Sequence, residues 1–178
     1  MIVKKVPNSK SKHKTASIRD LADYIREPHN QNPDEKVLYA NGRGFLCDGH
    51  AAQREEMVAL AAESVRSKNP VNHYIMSWRE GEQPSPEQVE EAVSIFMEEL
   101  GWKDHQAIYG LHKDTDNIHL HIAINRVHPE TLKIVEINRG FDIELAHRAI
   151  ARIEHAQGWH REQNGRYQVL ENGELGRA

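Results

Sequence analysis

Two apolar runs separated by a short polar turn set the frame of this chain: Gln106 to Leu111, then Lys113 to Asn117, then Ile118 to Val127. Runs of this length on either side of a turn rich in Asp and Asn fold back as a β-hairpin. Alternate residues of a strand share a face, so His119 and His121 point one way while Leu120 and Ile122 point into the core. His112 closes the first run, and the hairpin brings it back beside that pair. Three imidazoles converging on one point, with further positions open, make the pattern of a catalytic metal site rather than a structural one. The chain carries 12 histidines, so clusters arise by chance, and a single strand histidine is ordinarily a surface residue. The third histidine and the Asp/Asn turn beside it tip the balance toward metal.

Helices and further strands surround this hairpin. Ile2 to Val6 reads as a short strand, and a helix beginning at Ser17, with Ile18, Leu21, Ala22, Tyr24 and Ile25 at helical spacing, is stopped by Pro28. The stretch 29–35 reads as a polar loop, and 37–40 with 44–46 as one broken strand or two short ones. Ala51 to Ser67 reads as a helix and Val71 to Trp78 as a strand, with Tyr74 and Met76 on one face and His73, Ile75 and Ser77 on the other. Ser85, Pro86 and Gln88 form a capping-box start for a helix that Gly101 ends. Ile134 to Ile137 is a possible further strand, and Ile143 to Gln157 a last helix closed by Gly158. The expected class is α+β, a central antiparallel β-sheet flanked by helices.

The 178 residues suit one domain with a sizeable core. No apolar stretch is long enough to span a bilayer, and Met1 to Lys5 lacks the apolar core of a signal peptide, so a cytoplasmic chain without membrane insertion is expected. A single cysteine, Cys47, excludes an internal disulfide and a cysteine-built zinc site, and it reads as a small packed residue. The net charge of −4 argues mildly against nucleic acid, yet Lys4, Lys5, Lys10, Lys12 and Lys14 fall together without an intervening acid. They either make a basic end for a polarised surface or only solubilise the N-terminus.

The segment His112 to Asn125, followed by Arg126-Val127-His128-Pro129, resembles the third motif of conjugative relaxases of the MOBP type, members of the HUH endonuclease superfamily. Two more stretches match that family in order. Ala16 to Arg26, around Leu21-Ala22-Asp23-Tyr24-Ile25, is similar to the first motif, which carries the nucleophilic tyrosine; His73 to Pro84 is similar to the second, whose serine contacts DNA beside the cleaved bond. The resemblance covers residues 1–160, read as one relaxase domain, whereas 30–48 and the tail match nothing. Residues 161–178 read as a polar tail or as the start of a linker to a further C-terminal region.

What the resemblance implies is a metal-dependent enzyme that nicks single-stranded DNA at a plasmid transfer origin and initiates conjugative transfer. Tyr24 would form a 5′-phosphotyrosyl link, with magnesium or manganese held by His112, His119 and His121, and with Ser77 on the DNA. The implied partners are single-stranded origin-of-transfer DNA, relaxosome accessory proteins and the coupling ATPase of a secretion system, in a bacterial cytoplasm. From its local sequence Tyr24 is equally a packing residue of an amphipathic helix. Asp114, Asp116 and Asn117 either orient ligand imidazoles or only form the turn. A rolling-circle replication initiator, a non-catalytic metal-binding or DNA-binding module, and a metal-dependent hydrolase of small molecules are the competing readings.

Overall fold

The computed structural model describes residues 1–8, 13–28, 33–114, 116–137 and 141–178. Lys10, Lys12 and most of the 29–35 loop expectation lie outside them. Five strands form one sheet in the order β1-β3-β5-β4-β2, every neighbouring pair antiparallel: β1 Ile2–Val6, β2 Lys36–Arg43, β3 Val71–Ser77, β4 Ala107–Asp114 and β5 Asn117–Asn125. Helices α1 Lys14–Arg26 and α2 His50–Ala62 cover one face; α3 Pro86–Leu100 and α4 Phe141–Gln157 cover the other. The α+β class and the flanked antiparallel sheet stand as the sequence predicts.

The strand alternation divides the labour between the two faces. Tyr74 and Met76 of β3, Tyr109 and Leu111 of β4, and Leu120, Ile122 and Ile124 of β5 join Val89, Val93, Phe96 and Ile153 in the larger core. The opposite face carries Ile108 and Ala123, which meet Ile18, Ala22, Ile25, Met57 and Ala61 in a smaller one. That second core stops short of the sheet's far end, where the polar residues of the same face begin. α3 starts with the expected capping box at Ser85 and Gln88 and ends at Gly101 with φ 81°.

Several boundaries differ from the sequence reading. α1 starts at Lys14, one turn early, because the His13 ring accepts from the Thr15 amide and supplies a cap. α2 ends at Ala62 instead of Ser67: Val65 is exposed, so the final turn has nothing to bury. β2 runs unbroken through Asn41 and Gly42, which pair with Tyr109 and Ile108, and its irregularity lies at Val37/Tyr39. Ile134 makes only an isolated bridge to Val127. Residues 161–178, read as a tail, contain a hairpin of β6 Tyr167–Val169 and β7 Leu175–Arg177; Asn172-Gly173 turns it, with Gly173 at φ 83°, and Tyr167 donates to Glu144 of α4 at 2.8 Å. Cys47 is exposed, not packed.

Candidate active site

Residues directly opposite one another in antiparallel strands share a face, so the register places the polar groups. His112 lies across from His119, Gly110 across from His121, and on the other flank Ser77 and Ile75 lie across from His119 and His121. The three expected histidines therefore share the α1 side of the sheet. The rings of His112 and His121 stand 4.5 Å apart. Tyr24, in the last turn of α1, presents its ring edge to both, with centroids 5.5 Å from His112 and 5.2 Å from His121.

Gly110 permits this approach. An added Cβ there would fall 2.3 Å from the Ile25 carbonyl oxygen, so α1 rests directly on the backbone of β4. The same carbonyl faces His112 Nε2 at 2.6 Å. A carbonyl only accepts, so Nε2 carries a proton and Nδ1 is the nitrogen turned to Glu35, 3.0 Å from Oε1. His112 has no solvent exposure and Glu35 is buried too. A lone pair and a carboxylate facing each other out of water need a positive charge between them, a proton or a metal ion.

Glu35 is the site residue that sequence reasoning missed. It lies just before β2, in a polar stretch without periodicity, and only the pairing of β2 with β4 carries it to His112. Tyr24 donates its hydroxyl to this carboxylate at 3.2 Å. Burial first, then the Glu35 charge and hydrogen bond, push the Tyr24 phenol up to about 12. The strand alternation likewise puts His73 on the correct face but gives it no role. Its Nε2 lies 3.0 Å from His121 Nδ1, leaving His121 Nε2 for another partner. His119 Nδ1 is engaged by Ser77 Oγ at 2.9 Å. Burial, aided by the neighbouring His112, drives His121 down to about 2 and His73 down to about 4, so both rings are neutral at ordinary pH.

Neutral imidazoles and one carboxylate suit a divalent cation, and the candidate ligand atoms of Glu35, His112 and His121 lie within 4.8 Å of one another. The buried charge deficit between Glu35 and His112 makes the same donor set fit a metal. A cleft of about 240 Å³ opens beside it, lined by Lys4, Tyr24, Glu35, Ile75, Ser77, Asp114, His119 and His121. Asp114 thus reaches the site. Asp116 and Asn117 are exposed; Asp116 instead borders a hollow with Lys113 and Glu80 to Gln83. Among the described residues the hydrogen-bond partners of the three histidines are Glu35, Ile25, Ser77 and His73, not these turn residues.

The site is thus a helix-borne tyrosine held edge-on over strand-borne histidines on an antiparallel sheet. The model of the MobA/VirD2-like relaxase nuclease domain matches residues 24–159, and the chain belongs to this family. Protein MobA of Acidithiobacillus ferrooxidans is 83% identical over 121 residues, 68% of this chain and 30% of that protein. Two Escherichia coli proteins named TraI are 35% identical over 112 residues and 30% identical over 142, covering 61% and 79% of this chain. The chain spans less than a third of these relatives, 30%, 14% and 19% of their lengths. These likenesses support the MOBP type. A solved structure described as the molecular basis of vancomycin resistance transfer in Staphylococcus aureus shares the fold, with a TM-score of 0.53, 13% identity, and coverage of 90% of this chain and 94% of that one. Among the described residues no helix is long and apolar enough to cross a membrane.

Proposed function

We propose that this domain cuts and rejoins one strand of DNA at a plasmid transfer origin, with Tyr24 as the nucleophile. The observation that carries the reading is the Tyr24 hydroxyl, hydrogen-bonded to buried Glu35 and edge-on to two imidazoles. The Tyr24 oxygen attacks the scissile phosphorus while its proton passes to Glu35. The bond from phosphorus to the 3′ oxygen breaks, that oxygen leaves as a 3′-hydroxyl after taking a proton, and the 5′ side stays esterified to Tyr24. Rejoining reverses each transfer.

His112, His119 and His121, with Glu35 beside them, would hold magnesium or manganese, which would supply charge neutralisation at the phosphate and lower the cost of ionising the phenol. His73 and Ile25 orient two of those rings, and Ser77 holds His119 while facing the cleft where DNA lies. Asp114 adds negative charge at the rim, whereas Asp116 and Asn117 form the turn. The relaxase domain occupies residues 1–160, and the hairpin of β6 and β7 that follows is tied to its α4 through Tyr167 and Glu144. Accessory proteins that melt the origin and a coupling ATPase complete the reading in a bacterial cytoplasm.

The test is incubation with manganese and a pool of single-stranded oligonucleotides, followed by mass spectrometry of the peptides. A nucleotide adduct on Tyr24 is expected, absent without metal and absent in Tyr24→Phe. Glu35→Gln should slow adduct formation at neutral pH by about 100-fold or more if Glu35 takes the proton. Cleavage that survives Tyr24→Phe refutes the nucleophile.

A further inference from the structure

We infer that Lys4 is a phosphate-binding residue of the active-site cleft, gripping a DNA backbone phosphate next to the scissile one on the Ser77 side; the inference rests on the reading of the domain as a single-strand DNA transesterase. Lys4 lies across from Ile75 in β1–β3, and Ile75 lies across from His121 in β3–β5. The three residues form one row over the sheet, with Lys4 about 10 Å from His121 at two strand spacings.

Charge singles out Lys4 from its neighbours. Lys5 points to the opposite face and is tied to Asp142 at 2.9 Å, and Lys14 donates to the Ser64 and Ser67 carbonyls at 2.9 and 3.0 Å. Lys4 makes no hydrogen bond or ion pair among the described residues and is exposed at the cleft. The other lining groups are the carboxylates Glu35 and Asp114, the rings of Tyr24, His119 and His121, the Ser77 hydroxyl and aliphatic Ile75, so Lys4 is the sole permanent cation among the described residues lining that cleft. A polyanion entering beside two carboxylates, on a chain of net charge −4, needs a cation at that place. An ammonium on a flexible stem, unpaired and in register with the histidines, meets the need as a point charge.

Binding to an oligothymidylate with manganese present is measured against salt for wild type, Lys4→Met, Lys4→Gln, Lys4→Arg and Lys103→Met. Lys103 is exposed, before the start of β4 at the end away from Asp114. Loss of one phosphate contact lowers the log–log salt slope by about 0.7. Lys4→Met and Lys4→Gln are expected to show that loss, Lys4→Arg and Lys103→Met to keep the wild-type slope. On an oligonucleotide trapped as an adduct, single methylphosphonates are then scanned around the nick. Neutralising one flanking phosphate should slow wild type to the rate of Lys4→Met and leave Lys4→Met unchanged. An unaltered slope in both neutral variants, or a Lys4 effect that no single methylphosphonate removes, overturns the inference. Failure of wild type to form any adduct, with the salt slope still dependent on Lys4, overturns the nicking reading and leaves the phosphate contact standing.

Discussion

Replacing Gly110 by alanine tests how Tyr24 is brought to the sheet. The new methyl would lie 2.3 Å from the Ile25 oxygen and 3.3 Å from His112 Nε2. Reaching even 3.0 Å requires the last turn of α1 to retreat by about 0.7 Å, and Tyr24 moves with it. The 2.6 Å bond from His112 to that carbonyl lengthens to about 3.3 Å and weakens. Overpacking costs about 1–3 kcal/mol, and the weakened bond of the buried imidazole adds up to about 1 kcal/mol. At about 2–4 °C per kcal/mol for a domain of this size, the melting temperature should fall by several degrees to about 15 °C. A displacement near 1 Å at a reacting group costs about 100-fold in rate. Adduct formation on Tyr24 should therefore drop about 100-fold at a temperature where Gly110→Ala is still folded, as judged by circular dichroism. Wild-type rate together with wild-type stability would refute the claim that the bare backbone of β4 seats α1.

Two further outcomes follow from the histidines. His73→Phe keeps a ring of similar size but cannot accept from His121, and manganese affinity measured by calorimetry should fall about 10–100-fold while the fold persists; equal affinity would remove His73 from the site. His73 and His121 are depressed to about 4 and about 2, so both stay neutral in the folded protein while the unfolded chain binds protons near pH 6.5. The unfolded state then holds more protons as pH falls from about 6.5 to about 4, each histidine lowering stability by up to about 1.4 kcal/mol per pH unit. Urea titrations of the metal-free protein should show this loss through that window, and a flat profile would contradict the buried neutral rings.

The sequence made legible whatever depends on alternation and on local capping. His119 and His121 share a face because the strand period is two, and His112 joins them because a polar turn folds the hairpin. Ser85 and Gln88 close their box within four residues. Glu35 was invisible for the opposite reason: its partner is 77 positions away and depends on where the edge strand docks. The seating of α1 on β4 was equally hidden, since nothing local says that Gly110 is small to admit a helix rather than to make a turn. The Asn172-Gly173 hairpin was readable, and the polarity around it masked the signal. Tyr24 shows the limit most clearly, because its helical spacing is that of a packing residue, and apart from the family resemblance only its docking over the imidazoles distinguishes it.

His119 and His121 sit on the central strand β5 and His112 on its neighbour β4, backed by the larger core, whereas Tyr24 rides on a helix held by the smaller one. Because the Ile25 carbonyl of that same helix also bonds His112, any loosening of the thinner layer would shift Tyr24 and one imidazole together, so the two halves of the site share one mechanical support.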